Sequence, residues 1–428
     1  MARGKKKEAL TPEERLQAAL VPDWEQPYKV PENWCWIHLL DSFENCTDSK
    51  KKIPQKEYLQ DGKIAVVDQG QNLVGGYTND GEMIFSGNVP VIIFGDHTRC
   101  IKYIDFPFAQ GADGVKVLKP KQFFNTKAFY YAFQTIDIPN MGYRRHFPLF
   151  DKYEIPVPPL PEQQRIVDRI ESLFAKLDEA KQKAQDALDS FETRKAAILH
   201  KAFTGELTAQ WRKEHGVGME SWAKKRFDEV ATIKSNLVDP ATFPDFPHIA
   251  PDNIEKKTGV LLEYNTVSED GVTSGKHRFY PGQILYSKIR PYLSKVVVVD
   301  FDGLCSADMY PIEAKGNTKC LWYYMLSEEF LEQASTAGSR SVLPKINQKE
   351  LSALTVVFPT LSDEQTEIVR ILDDLFAKEQ QAKETAKAVL EQIDLMKKSI
   401  LARAFRGELG TNNLAEESAV ELVKNIIS

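Results

Sequence analysis

Two stretches of the chain share one pattern of apolar positions, spaced alternately four and three residues apart. The pattern is typical of the a and d positions of a coiled coil, so each stretch predicts one long helix with an apolar seam. Glu379 interrupts the second seam. The first seam comprises Ile166, Ile170, Leu173, Leu177, Ala180, Ala184, Ala187, Phe191 and Ile198, and the second Ile368, Leu372, Leu375, Ala382, Ala386, Val389, Ile393, Met396 and Ile400.

The two predicted helices are copies of one sequence. Residues 162–207 and 364–409 are identical at 20 of 46 positions. Prolines precede both copies, and Gly205 and Gly407 follow, where a left-handed C-cap is expected. About 40 helical residues would span roughly 60 Å. Mutual antiparallel pairing is the simplest use of two matching seams, while packing of each helix on its own domain, or pairing between chains, are the alternatives.

A second apolar stripe lies off the seam near the end of each helix. Because it occurs twice, it could dock two identical partners, and capping of the helix-bundle end explains it equally well. Its residues are Leu199, Ala202 and Phe203 in the first copy and Leu401, Ala404 and Phe405 in the second.

The segment before each helix has strand and turn character. Strands are predicted at residues 89–94, 101–104 and 115–118, and then at 283–289 and 296–299. The two segments are loosely related, since Gly142, Arg144 and Pro148 recur at one spacing as Gly338, Arg340 and Pro344. The predicted layout is an arm (1–24), a β-rich domain (25–157), a spacer helix (158–210), a second β-rich domain (211–358), a second spacer helix (359–410) and a tail (411–428).

Composition narrows the class of protein. The net charge is -6, and each β-rich segment is near neutral, so any nucleic-acid surface must be a local patch. No apolar run is long enough to cross a bilayer, and five dispersed cysteines fit reduced thiols. We therefore expect a cytoplasmic protein with no membrane association and no structural metal.

The chain resembles the specificity subunit of type I restriction-modification systems over residues 21–409. The resemblance is carried by Pro158-Pro159-Leu160-Pro161-Glu162-Gln163, by the run from Ala197 to Leu207, by their second copies, and by the segment from Leu285 to Tyr292. It implies an α+β fold in which two β-rich target-recognition domains, related by pseudo-twofold symmetry, are separated by two long antiparallel coiled-coil helices.

The resemblance also implies a function. Each domain would read one half of a split target in double-stranded DNA, and the helices would set the gap. Two methyltransferase subunits and restriction or translocase subunits would be the protein partners. S-adenosylmethionine, ATP and Mg²⁺ would be bound by those partners and not by this chain.

Candidate DNA contacts are side chains that reach base edges or phosphates. Solvated strand edges, turns and salt bridges are the competing explanations for each. In the second domain they are Tyr286, Ser287, Lys288, Arg290, Tyr292, Lys295, Ser339, Arg340 and Lys345, and in the first Arg144, Arg145, His146, Gln69, Gln71, Asn72, Arg99 and Lys102.

Motifs for catalysis are incomplete. The run from Gly271 to His277 is one residue short of a P-loop and lacks the Ser or Thr that would hold magnesium. We therefore expect a non-catalytic subunit. Two alternatives stay open: a coiled-coil interaction protein with two β-rich ligand-binding domains, and a specificity subunit of a methylation-only phage-defence system.

Overall fold

The computed structural model describes residues 11–338 and 343–427. The chain divides into two compact units. The first unit combines Met1–Lys183 with Val389–Ser428, and the second unit is the continuous stretch Ala184–Ala388. The first unit therefore takes its chain from both ends of the sequence.

The helices and strands follow one another along the chain in two similar series. The first series is α1 (Pro12–Ala19), β1 (Cys35–His38), β2 (Phe43–Asn45), β3 (Lys52–Ile53), β4 (Ile64–Val67), β5 (Gly76–Thr78), β6 (Val91–Gly95), β7 (Ile101–Ile104), β8 (Phe108–Gly111), β9 (Val115–Pro120), α2 (Thr126–Phe133), β10 (Glu154–Val157), α3 (Leu160–Asp189) and α4 (Phe191–Phe203). The second series is α5 (Ala209–Glu214), β11 (Trp222–Arg226), α6 (Phe227–Val230), β12 (Ala231–Ile233), β13 (Leu237–Val238), β14 (His248–Ile249), β15 (Lys276–Phe279), β16 (Ile284–Ser287), β17 (Val296–Val298), β18 (Gly303–Cys305), β19 (Met309–Ala314), α7 (Thr318–Met325), α8 (Glu328–Ala337), α9 (Gln348–Ser352), β20 (Thr355–Pro359), α10 (Ser362–Ala404) and α11 (Ala419–Ile427).

The two units repeat one sheet topology. The central sheet has the order β2-β9-β6-β7 in the first unit and β12-β19-β16-β17 in the second, and every neighbouring pair in it is antiparallel. Each unit also has a two-stranded sheet, β1-β10 or β11-β20, and a mixed sheet containing a parallel pair, β3-β8 or β14-β18. The strands predicted from the sequence are confirmed, with ends displaced by a few residues.

The core of each unit lies between the central sheet and the helix that follows it. In the first unit, the rings of Phe94, Phe133 and Phe150 pack with centroids 4.8 to 5.7 Å apart. In the second unit, Tyr286 and Phe330 are buried and their rings meet edge to face at 5.8 Å. Aromatic side chains bury large areas, so these contacts fix each helix on its sheet.

The two long helices run antiparallel within each unit. In the first unit, Lys397 Nζ donates to Asp178 at 2.5 Å, and Lys181 lies 3.6 Å from Asp394. The residue number falls along one helix as it rises along the other, which defines the direction. The predicted mutual pairing is therefore confirmed in the first unit.

In the second unit, a charged pair replaces an apolar layer of the seam. The Arg194 guanidinium donates to both carboxylate oxygens of Glu379, at 2.7 to 3.1 Å. Lys383 lies over the ring of Phe191 at 4.4 Å, which gives the same antiparallel direction. Arg194 occupies the seam position between Phe191 and Ile198, where the first seam has no apolar residue. Glu379 occupies the break in the second seam. These two polar positions pair with each other and thereby favour one register.

The seam prediction was wrong at three positions. Ala187, Ala382 and Met396 are exposed. The predicted single helix is interrupted at Ser190, whose hydroxyl donates to the Ala187 carbonyl at 3.1 Å and so competes with the helical hydrogen bonds. At the other two positions the following residues, Lys383 and Lys397, make the ring contacts.

The off-seam stripe is buried inside the protein itself. Leu199, Ala202 and Phe203 belong to the core of the second unit, and Leu401, Ala404 and Phe405 to that of the first. The docking interpretation of these six residues is corrected, because buried side chains present no surface to a partner. They pack into the unit cores instead, where for example Phe203 meets Tyr324 and Phe358, so neither partner docking nor capping of the bundle end describes them.

A buried carboxylate stands at the start of α3. The side chain of Glu162 is fully buried, and it accepts hydrogen bonds from Trp34 Nε1 at 2.7 Å, Asn412 Nδ2 at 2.8 Å and Thr411 Oγ1 at 3.1 Å. All three of these hydrogen-bond donors to the Glu162 carboxylate are uncharged. It ties the residue immediately before β1 to the segment after α10.

Its repeat counterpart, Glu364 at the start of α10, is also fully buried but has a charged partner. It accepts from Arg212 at 2.6 Å, Thr208 at 2.8 Å, Trp222 Nε1 at 2.9 Å and Ser221 at 3.0 Å. Burial alone would raise the pKa of this carboxyl, but these hydrogen bonds outweigh it and hold the pKa below its usual value. The guanidinium distinguishes the two sites.

Candidate nucleic-acid interface

Three loops of the first unit meet at the tip of the β6–β7 hairpin. Asp96, in that hairpin, accepts through its carboxylate from the backbone N–H of His146 at 2.9 Å and of Phe147 at 2.7 Å. His146 Nδ1 donates to the Asp96 carbonyl at 2.8 Å. These bonds fix the loop that carries Arg144 and Arg145 against the hairpin.

The loop after β4 completes this tip. The Gln69 side chain accepts from His97 N at 3.1 Å, and its carbonyl accepts from the Thr98 hydroxyl at 2.6 Å. Lys102 Nζ donates to the carbonyls of Asp68 and Asn72. Candidates from separate parts of the sequence therefore lie together.

Two of the predicted DNA contacts in the first unit, Lys102 and His146, are wrong. Lys102 is 4% exposed and lies 3.5 Å from the Asp68 carboxylate, while His146 is fully buried. Both side chains hold loops in place and cannot reach DNA from this conformation. Arg99 is half-buried, with a guanidinium N–H 2.8 Å from the Ile138 carbonyl. The exposed candidates are Gln71, Asn72, Arg144 and Arg145, and Gln69 is half-buried.

The second unit builds a similar tip from the β16–β17 connection and the segment around Lys345. Arg290 N donates to the Pro344 carbonyl at 2.7 Å, and Ile346 N donates to the Lys288 carbonyl at 2.9 Å. Arg290 has φ 48°, and Arg99, in the hairpin of the first unit, has φ 62°. Each hairpin thus carries an arginine in the left-handed region, which non-glycine residues seldom adopt.

Some of the predicted DNA contacts in the second unit are buried and others are exposed. Tyr286 and Ser287 are 1% and 2% exposed, so both are corrected to core positions of the strand. The Lys295 side chain is 14% exposed and donates to the Pro251 carbonyl at 2.7 Å, which ties down a neighbouring turn. Arg290, Tyr292 and Lys345 are exposed. Ser339 and Arg340 lie outside the described residues.

Three lysines surround one carboxylate beside this tip. Lys345 Nζ donates to Asp308 at 3.2 Å, and Lys288 Nζ donates to the Ala307 carbonyl. Burial, together with the charge of Lys345, lowers the pKa of Lys288, and burial lowers that of Lys276. With three lysines beside the single carboxylate of Asp308, this cluster holds more basic than acidic side chains, although the net charge of the chain is negative.

Sequence reasoning missed Tyr143 and His97. Tyr143 is 85% exposed, and its ring stacks on that of His97 with centroids 4.7 Å apart and planes 12° apart. A tyrosine between Gly142 and Arg144 in a polar loop was the available signal. Its histidine partner, 46 residues earlier, had none.

A family model described as the type I restriction modification DNA specificity domain matches the chain twice, at residues 31–188 and 219–392. These matches cover more than half of the sequence. The chain belongs to this family. Each match includes one central sheet, its hairpin tip and most of the long helix that follows.

Several specificity subunits of type I restriction enzymes are similar in sequence. The EcoDI specificity subunit of Escherichia coli is 41% identical over 283 residues, covering 61% of this chain and 64% of that protein. The EcoKI specificity subunit of Escherichia coli strain K12 is 26% identical over 62% of this chain and 60% of that protein. The matches thus span a little under two thirds of the length of these two relatives.

Two solved structures have a fold similar to that of this chain. The HsdS subunit from Thermoanaerobacter tengcongensis superposes with a TM-score of 0.58 at 17% identity, over 90% of this chain and 100% of that chain. A chain from a structural study of complex assembly and conformational transition in the type I R-M system gives a TM-score of 0.63 at 18% identity, with the same coverage.

Residues 11–338 and 343–427 contain neither a candidate membrane span nor a candidate metal-binding cluster. No helix there is long and apolar enough to span a membrane, and no cluster of His, Cys, Asp and Glu in that part of the chain could hold a metal ion. The five cysteines are free thiols.

Proposed function

We propose that this chain is the sequence-specificity subunit of a type I restriction-modification complex. Each unit reads one half of a bipartite target in double-stranded DNA, and a fixed number of unspecified base pairs separates the two halves. The observation that carries this is the repetition of one architecture with different exposed side chains at its tip. The first tip offers Gln71, Asn72, Arg144 and Arg145, and the second offers Arg290, Tyr292 and Lys345.

The side chains at the tips suit two kinds of contact. Asn and Gln can form paired hydrogen bonds with adenine in the major groove, and Arg with guanine, whereas Lys contacts phosphates. The hydrogen-bonded loops beneath them are fixed before DNA arrives, which reduces the entropy lost on binding. Differences between the tips would give the two half-sites different sequences.

Catalysis is assigned to partner subunits. Two methyltransferase subunits transfer the methyl group of S-adenosylmethionine to adenine, and restriction subunits use ATP and Mg²⁺ for translocation and cleavage. This chain binds none of these cofactors itself. The complex works in the cytoplasm, where the five cysteines stay reduced.

The decisive experiment maps methylated adenines in cells that express this chain with its methyltransferase subunit. The expected motif has two short specified halves around a constant gap. Replacing residues 25–157 by the same region of another specificity subunit should change one half only. An uninterrupted short motif, or a change in both halves, would refute the proposal.

A binding assay on the assembled complex tests the tip of the first unit. Replacing Arg144 and Arg145 by Gln should reduce affinity for the mapped duplex and flatten the dependence of log K on log salt, because fewer counterions are released. Lys176→Gln combined with Lys183→Gln, which removes two exposed charges from α3, is the charge-matched control and should bind as the unmodified chain does. Equal losses in both variants would place the DNA elsewhere.

A further inference from the structure

Tyr143 is a large aromatic side chain that the first unit keeps in water in a fixed position. It is 85% exposed, although burying an aromatic ring is ordinarily favourable. Gly142, at φ 67°, turns the loop immediately before it. Isolated exposed apolar residues are common, so exposure alone would mean little.

The ring is nevertheless held by a specific set of contacts. His97 covers one face at a centroid distance of 4.7 Å, and His97 Nδ1 donates to the Tyr143 carbonyl at 3.0 Å. His97 is itself held, since its backbone N–H donates to the Gln69 side chain. The far face of the tyrosine ring is therefore presented to solvent with little rotational freedom to lose on binding.

The surroundings identify what the open face would meet. Gln71, Asn72, Arg144 and Arg145 are exposed on the same loops, and they are groups that contact base edges and phosphates. An aromatic ring among such groups is suited to stack on a nucleobase, since every base has a π-face. Side chains that enter a base step open it and bend the duplex.

We infer that Tyr143 enters the first half-site and stacks its open face on one base of an opened step, with His97 as its support. This inference rests on the proposed function and adds a contact to it. Stacking does not depend on base identity, so the residue selects by the deformability of the step and not by hydrogen bonding. The first half-site should therefore contain a flexible step at a fixed position.

The test uses the full chain assembled with its methyltransferase subunits and the duplex whose methylation motif has been mapped. Tyr143→Ala should weaken binding about tenfold, in line with the loss of one base–aromatic stack, without changing the salt dependence. Tyr143→Phe keeps the ring and should bind like the unmodified chain. Leu395→Ala, which also removes an exposed apolar side chain but lies on α10, is the matched control and should bind as the unmodified chain does.

Fluorescence of 2-aminopurine, placed at one position of the first half-site at a time, reports stacking directly. One position should respond to the unmodified complex and to Tyr143→Phe but not to Tyr143→Ala. If Tyr143→Ala binds within twofold of the unmodified chain, or if Tyr143→Phe loses as much as Tyr143→Ala, the inference fails while the proposed function stands. If the unmodified complex does not prefer the mapped duplex, both fail.

Discussion

The same substitution at the two buried glutamates should have unequal effects. Glu364→Gln leaves the Arg212 guanidinium, whose side chain is 8% exposed, without its counter-ion. Removing one partner of a buried ion pair costs about 3 to 5 kcal/mol. Arg212 still donates to Thr208 and to the Gly205 carbonyl, so we expect the lower end, about 3 kcal/mol. That corresponds to a more than hundredfold rise in the unfolding equilibrium of the second unit.

Glu162→Gln should cost only about 1 kcal/mol, because an amide can still accept from Trp34 and Asn412 and no cation is left unpaired. Hydrogen exchange followed by mass spectrometry measures each unit separately. Protection should fall in residues 205–222 for Glu364→Gln and change little in residues 405–423 for Glu162→Gln. Equal losses of protection would refute the argument that the charge of Arg212 decides the difference.

Acid should destabilise the second unit through the same carboxylate. Because the folded-state pKa of Glu364 lies below the ordinary value of 4.5, its contribution is fully present above that pH. It is lost as pH falls through the lowered folded-state value. Glu364→Gln should therefore flatten this part of the pH dependence of protection in residues 205–222. Parallel acid profiles for the two proteins would contradict the assignment.

Two further pairs of substitutions test the backbone and the seam. Gly407→Ala should lower the free energy of unfolding by about 3 kcal/mol, because φ is 75° and a Cβ would lie 2.4 Å from Pro31. Gly410→Ala is the control: φ is 70°, but no described atom lies within 4 Å of the added Cβ, so the loss should be about 1 kcal/mol. Urea unfolding measures both. Arg194→Glu or Glu379→Arg alone should destabilise the second unit by about 1 kcal/mol. The double variant, which exchanges the two charges, should recover most of the lost stability. A double reversal no better than the singles would show that the pair does not set the register.

The helices and their pairing could be predicted because apolar spacing directly reports which helix face is buried. The central strands could be predicted for the same reason. The prediction of buried seam positions was wrong where contacts of neighbouring residues, and not the residue's own apolar character, determined what is buried. Ser190 bonds back to the helix at one point, and long lysine side chains cover rings at others.

The tips could be predicted only in part. Residue type identified Arg144, Arg290 and Lys345 correctly as exposed basic groups, but it could not show that Lys102 and His146 point inward. Their burial depends on acceptors such as Asp96, far away in sequence, and spacing along one chain carries no such information. The Glu-Gln pair at the start of each long helix contributes to the family resemblance, but the sequence does not show that both residues are buried and hydrogen-bonded.

The discontinuity of the first unit has a consequence for biosynthesis. A ribosome produces residues 1–183 early, yet their core requires Leu401, Ala404 and Phe405, which are synthesised only after the whole second unit. The second unit needs no residue beyond 388 and can mature first. The first unit is therefore completed after the second, although its synthesis begins earlier, and the apolar surface of residues 1–183 stays exposed to aggregation until residues 389–405 have been synthesised.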